Sequence, residues 1–518
     1  MMSVDERRAR GTGARVTTPL EAHAGWVPAA GRPSPVTLLR EQETTREPDL
    51  VPVRRGRMMV SPFTFYRGAA KVMAEDLKDT PAAGLDAQLC GDAHLSNFGA
   101  FASPERRLVF DLNDFDETLP GPFEYDVKRM TASFVIAARD NGFSRADART
   151  AALASVSGYR EAMAGFAERN TMDIWYASVD EADILRVVRS AVESAEATEK
   201  ATRKTGKKAV GKPDKPGKAD KADKADKAAK AGAKNGRKDD ATRKEAEEQA
   251  RMTRLAEKRV EKFSAKARTR DSLSALSKLA EVVDGRYQII SQPPVVIPLR
   301  DLAPELSPDQ IDHLLREQFR SYRATLQPDR KHLLEQFEIV DVARKVVGVG
   351  SVGTRAFIAL LQGRDSRDPL FLQAKEATAS VLEAHLPRSR YRNHGQRVVQ
   401  GQRIMQAASD IFLGWTRGVD ITRHFYWRQL RDMKGSVPIE ETTPVGLAMY
   451  GRLCGWTMAR AHARSGDPVA ISAYLGDGDE FDRSITDFAE RYADQNERDY
   501  DEFAAAIKDG RLTAVEGV

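Results

Sequence analysis

Short apolar runs and longer stretches of helical period alternate along this chain. Leu89-Cys90 and Leu108-Val109-Phe110 are too short for helices, and polar turns bound them, so they are read as buried strands. A short helix is predicted over residues 69–77 and another over 126–139, with helical patterning continuing to about 197. A second strand-rich region starts at Ile339. Apolar runs at 339–347, 356–361 and 369–374 are separated by a glycine-rich segment and by the turn Gly363-Arg364-Asp365. Residues 425–430 read as a further strand. Residues 446–463 then form a helix with Leu447, Tyr450, Leu453, Cys454, Thr457 and Met458 inward. Charged helices with Phe488, Tyr492, Tyr500 and Phe503 run from 479 to 507. The fold class predicted is α+β.

Composition divides this pattern into segments. Residues 1–50, rich in Gly, Pro, Thr and Arg, are expected to form an extended arm. Residues 51–197 carry the first strands and helices, 241–335 a helical connection, 336–435 the glycine-rich strand region and 436–518 the last helices. Residues 198–240, built on KADKADKADKAAKAGAK, lack apolar side chains able to repay ordering and are expected to be disordered. Deleting 200–238 should therefore leave melting temperature and turnover nearly unchanged; a large loss of either in the deletion would refute this.

The net charge of +5 changes meaning once that insert is set aside. Residues 200–238 hold 15 Lys and Arg against 4 Asp, an excess of 11, so the remainder carries about −6. Lys-rich runs bind nucleic acid by counterion release, but without interleaved aromatics this one reads as a solvated spacer. No run of eighteen apolar residues predicts a membrane span. The polar start lacks a secretory signal, and two cysteines make no disulfide framework, so a cytoplasmic protein is expected. Cys90 is read as a small buried strand residue.

The chemistry concentrates in two places. Asp92 is followed five residues later by Asn97, and a strand then ends in Asp114-Phe115-Asp116-Glu117. Metal-assisted phosphoryl transfer needs a carboxylate to orient the acceptor, and an amide plus a second carboxylate to hold metal on phosphates. Asp92 fits the first role, Asn97 and Asp114 the second, with Asp116 a second carboxylate near the metals, as an outer-shell ligand or a solubilising neighbour. His94 sits in the same loop, where a hydrogen-bonding role is expected. Far downstream, Gly348, Gly350, Ser351 and Gly353 lie between two strands, and Lys375 ends a third. Glycines let a hairpin approach phosphates, and a strand-borne Lys neutralises their oxygens. Such a Lys needs a carboxylate; Glu383, on a helix predicted over 378–385, is the first candidate and Glu376 the rival. Residues 431–435 are the expected hinge, with an adenine against it. For Arg67 two roles stay open, reaching a phosphate in the cleft and a surface or structural role; the second is preferred, since spacing alone does not aim it. His462 and Asp467 are assigned to helix capping and packing.

Gly91-Asp92-Ala93-His94-Leu95-Ser96-Asn97 resembles the catalytic-loop motif of the aminoglycoside- and choline-kinase-like enzymes, Gly-Asp-x-His-x-x-Asn. Asn113-Asp114-Phe115-Asp116 resembles their metal-binding strand end, and Asp126 the helix Asp that ties down the catalytic loop. The string from CGDAHLSNFG to EYDVKR is similar to the uncharacterised bacterial domain-of-unknown-function 2252 family. The resemblance implies a bilobal protein-kinase-like fold using ATP and Mg²⁺ on an unknown acceptor. It also implies a permuted lobe order, because the glycine hairpin and Lys375 follow the catalytic loop, with Lys375 and Asp114 within about 10 Å. Transfer of AMP on the same fold, and a non-catalytic nucleotide-binding protein, are the alternatives left open.

Overall fold

The computed structural model describes residues 2–186, 258, 260–346, 348–430 and 432–517. The Lys-rich insert expected at 198–240 lies outside them. Two units divide the chain: Met1–Val179 with Lys266–Val518, and Asp180–Ala265. Of the second, the described residues are 180–186, 258 and 260–265. Apart from Asp180 of the strand at 179–180, the elements below belong to the first.

Its strands are β1 (Asp86–Leu89), β2 (Phe98–Ala102), β3 (Leu108–Leu112), β4 (Leu119–Pro122) and β5 (Val179–Asp180), the last ending at the unit boundary. They continue as β6 (Ala280–Val283), β7 (Arg286–Ile289), β8 (Val296–Pro298) and β9 (Glu338–Lys345). The remainder are β10 (Ala356–Gln362), β11 (Pro369–Ala377), β12 (Gly414–Arg417) and β13 (His424–Gln429). β1 pairs antiparallel with β4, and β2 with β3. Six strands form an antiparallel sheet in the order β12-β13-β11-β10-β9-β8.

Strand alternation explains how this sheet positions a charge. Leu372 and Ala374 of β11 join Phe319, Tyr322 and Trp427 in one core. Phe371 points the other way, into the core with Leu276, Leu279 and Ile358. By the same period of two, Lys375 falls on the Phe371 face. It stands opposite Ala356 on one neighbour and Tyr426 on the other.

The strands predicted at 339–347, 356–361, 369–374 and 425–430 correspond to β9, β10, β11 and β13. The helices predicted at 126–139 and 446–463 correspond to Phe123–Asp140 and Pro444–Ala463. The α+β class holds. Among the described residues no helix is long and apolar enough to cross a membrane.

Two expectations require correction. Residues 1–50 are not an extended arm: Val4–Thr17 and Pro35–Glu43 are α-helices, with a 3-10 turn at Leu20–Ala24. A capping box between Ser3 and Glu6 starts the first helix. Gly11 then lets it lie against the helix Pro468–Leu475, because a Cβ there would collide with the Ala470 carbonyl. Arg7 pairs with Asp467 at 2.6 Å, and Arg32 with Asp499 at 2.6 Å. Residues 241–335 are not only a helical connection either. They contain the β6-β7 hairpin and β8, an edge strand whose Pro298 needs no ladder donor on its open side.

Candidate active site

β1 delivers the chain into a loop whose shape is fixed from below. The amides of Cys90 and Gly91 donate to the Asp126 carboxylate at 2.7 and 2.9 Å. Asp126 also lies 3.3 Å from His462 Nε2, and His462 Nδ1 is 3.0 Å from the Tyr159 hydroxyl. Gly91 has φ +83°, and a Cβ there would run into the Glu117 carbonyl. Gly91→Ala should therefore cost on the order of 2–3 kcal/mol, from left-handed backbone strain plus displacement of the Glu117 segment. Urea denaturation of the variant checks this; an unchanged midpoint would show the loop is not held as described.

Beyond Gly91 the loop presents its polar side chains. Asp92 Oδ1 is gripped by Arg129 through Nη2 at 2.5 Å and Nε at 2.7 Å. Arg129 is buried and stacks over the Tyr66 ring at 4.2 Å, so it is a rigid holder. Asp92 Oδ2 remains open, with His94 Nε2 3.8 Å away. Burial pushes His94 down to about 3, so its ring is neutral at pH 7. Asn97 Nδ2 donates to the Asp92 carbonyl at 2.6 Å, which leaves its side-chain oxygen as an acceptor.

The segment after β3 meets the sheet here. Lys375 Nζ lies 2.6 Å from Asp116 Oδ2 and 3.6 Å from Asp114 Oδ1. The Tyr426 hydroxyl donates to Asp116 Oδ1 at 2.6 Å, and Ser351 Oγ to Oδ2 at 3.2 Å. Burial alone would raise Asp116, but Lys375 and Tyr426 outweigh it and hold the carboxyl at about 2. Asp114 is raised, by burial first and then by the negative charge of Asp116. Its Oδ1 is buried without a hydrogen-bond donor. Burial lowers Lys375, yet the two carboxylates more than reverse this and the ammonium is held charged. Glu117, accepting from the Val381 amide at 2.7 Å, is pushed up to about 7 by burial.

The carboxylates expected to hold Lys375 do not. Glu383 sits in a 3-10 turn, Val381–Ala384, where it caps Ser380 and lies 3.9 Å from Arg397 Nε. Glu376 alternates to the other face of β11 and pairs with Arg423 at 2.7 Å and Arg355 at 3.4 Å. Asp116 and Asp114 take the role instead.

The glycine-rich loop closes the site. Gly348 and Gly353 have φ +67° and +89°. Gly353 is anchored from the N-terminal segment, its carbonyl accepting from the Glu47 amide at 2.7 Å. Beneath the loop lies a cavity of about 110 Å³ lined by Asp92, His94, Asn97, Asp114, Asp116, Gly348, Gly350 and Ser351. Gly353, Lys375 and Glu383 do not line it; Lys375 reaches it through Asp116. Of the expected hinge 431–435, residue 431 lies outside the described residues, and 432–435 do not line the cavity either. Gly435 instead exchanges backbone hydrogen bonds with Ala100 of β2, each 2.8 Å.

Sequence reasoning missed Arg129, Tyr426 and Glu117, and it preferred a surface or structural role for Arg67, which lines the cavity. For Glu117 a signal existed: it directly follows Asp116. Among the described residues no group of three or more His, Cys, Asp or Glu side chains is arranged to hold a metal. Among the three residues expected to hold metal, the free acceptors are the Asn97 amide oxygen and Asp114, because Asp116 is occupied by three donors. Two oxygen ligands suit Mg²⁺, which keeps waters and phosphate oxygens in its remaining positions.

The family model for an uncharacterised protein conserved in bacteria (DUF2252) matches residues 46–248 and 222–506, and the chain belongs to that family. No curated protein and no solved structure matches it.

Proposed function

We propose that this member of the DUF2252 family is an ATP-dependent phosphotransferase acting with Mg²⁺ on a hydroxyl-bearing acceptor, on a bilobal kinase-like arrangement with inverted chain order. One observation carries the reading. Lys375, near the end of a strand, meets Asp116 and Asp114 across 259 and 261 residues of sequence, over a cavity that Asp92 and a glycine-rich loop also line. A buried Lys between two carboxylates, facing a loop of small residues, is the charge pattern that phosphoryl transfer uses.

Asn97 and Asp114 would hold Mg²⁺, which when bound neutralises phosphate charge. Asp92 orients the acceptor hydroxyl through Oδ2 and receives its proton, while Arg129 fixes Oδ1. His94, neutral, lines the cavity beside that oxygen. Lys375 supplies positive charge behind Asp116, and Gly350 and Ser351 cover the phosphoryl end. At about 110 Å³ the cavity is below the roughly 300–1,000 Å³ of small-molecule sites. It accommodates a transferred phosphoryl group, and admitting the rest of the nucleotide would require the loop around Gly350 to move.

The test is to incubate the protein with γ-labelled and α-labelled ATP, with and without Mg²⁺. Movement of the γ label only, and only with Mg²⁺, is expected. Movement of the α label would replace this reading with AMP transfer. Metal-independent nucleotide binding with neither label moving would make the protein a binding module.

A further inference from the structure

Charge pairing around the cavity leaves one side chain over. Asp92 has Arg129, Asp116 has Lys375, Glu376 has Arg423, and Glu117 has the Val381 amide. Arg67 is the cation among the lining residues, and no carboxylate or carbonyl among the described residues pairs with it. Arg67 as a whole is half-buried, but its Nε is buried without a hydrogen-bond partner, and its guanidinium carbon lies 6.0 Å from the centroid of the Phe63 ring. Burial lowers the guanidinium from its ordinary value, with Asp92 and Glu440 offsetting this only in part. A guanidinium cannot shed its charge at physiological pH, so holding one half-buried and unpaired costs stability that a folded chain retains only with compensation.

Two placements aim it. Arg67 lies in the last turn of the helix Pro62–Gly68, and its own carbonyl lies 3.3 Å from where a Cβ on Gly350 would be. The glycine-rich loop therefore passes directly over this residue. The next helix, Ala70–Leu77, begins at the cavity with no side-chain cap, and Ala70 lines it. A planar fork with five donors, between an open carboxylate and a loop of small residues, matches the oxygens of a tetrahedral anion.

We propose that Arg67 is the oxyanion-binding residue of this cavity and that it takes a phosphate-type group entering beside Asp92. The proposal deepens the phosphotransferase reading and rests on it for the identity of the ligand. Two sources share the chemistry: the terminal phosphoryl group of the nucleotide, or an anionic group on the acceptor.

The experiment uses the full chain and inorganic phosphate as probe, with Arg67→Gln and Arg67→Lys. Wild type should gain melting temperature with phosphate, and Arg67→Gln should bind it at least tenfold more weakly. Arg67→Lys should fall between them, since it keeps the charge and loses the fork. Without ligand, Arg67→Gln should melt at the wild-type temperature or above it, which a structural arginine would not allow. Weakened ATP binding with unchanged ADP binding in Arg67→Gln assigns the terminal phosphoryl group. Unchanged ATP binding with lost phosphate binding in the presence of ADP assigns the acceptor. Equal phosphate response in wild type and both variants, no response in wild type, or a ligand-free collapse of Arg67→Gln with Arg67→Lys binding as wild type, overturns the proposal. A wild type that binds phosphate through Arg67 but moves no label from ATP leaves this site standing and removes the phosphotransferase reading alone.

Discussion

Lys375→Met should destabilise the protein by about 3 kcal/mol at pH 7 and abolish nucleotide binding. The substitution keeps most of the side-chain volume and deletes only the charge. It leaves Asp116, 26% exposed, and Asp114 facing each other with no cation at 2.6 or 3.6 Å. Removing one partner of a buried pair costs about 3–5 kcal/mol. The lower end applies because Asp116 keeps its bonds from Tyr426 and Ser351. The effect has a pH signature. Asp116 is held at about 2 in the native state, below the ordinary Asp value of about 3.9. Its contribution is therefore present above pH 4 and lost as pH falls toward 2. Lys375 is shifted upward, so its contribution is present below the ordinary Lys value and lost only in strong alkali. The gap between wild type and variant should be widest from pH 5 to 9 and should narrow at pH 3. Urea denaturation at pH 7 and pH 3 measures it. Equal stability at pH 7 would mean that Lys375 does not hold the two carboxylates together.

What could be read in the sequence depended on how local the determinant was. The Asp92–Asn97 and Asp114–Glu117 groups stand out because a few side chains at fixed spacing end up on one loop or one strand end. The strands around Lys375 were legible because their apolar runs are bounded by glycine and charge. Its partners were not: Tyr426 faces Lys375 only through the register of β11 on β13, and Asp116 arrives from 259 residues away. A helix-borne Glu was expected by analogy, and the turn at Val381–Ala384 is too short to aim one. The first fifty residues misled for a different reason. Gly11 and Gly13 lower intrinsic helix propensity, but docking against Pro468–Leu475 requires a small residue at Gly11, and packing overrode propensity. His462 was assigned to packing; the structure adds its contact with Asp126, two residues of unrelated segments supporting one loop.

Asp92→Asn should lower turnover by about 10²–10⁴-fold while leaving the dissociation constant for nucleotide within about twofold of wild type. The range is that of a lost general base or orienting carboxylate. Asn is isosteric, and its side-chain oxygen still accepts from Arg129, which also donates to the Tyr66 carbonyl at 2.9 Å. The loop should therefore keep its shape, since Asp126 and not Asp92 ties it down. What disappears is the acceptor oxygen at the Oδ2 position when the amide nitrogen turns toward the cavity, and with it the capacity to receive a proton. Asp114→Ala should behave in the opposite way. It removes the buried free oxygen that fits a metal, so Mg²⁺-dependent nucleotide affinity should fall while any metal-independent binding persists. Measuring turnover and nucleotide affinity with and without Mg²⁺ in both variants separates the two roles. Wild-type turnover in Asp92→Asn would remove Asp92 from the chemistry. Equal losses of affinity in both variants would show that the two carboxylates act as one structural unit, with no division between acceptor and metal sides.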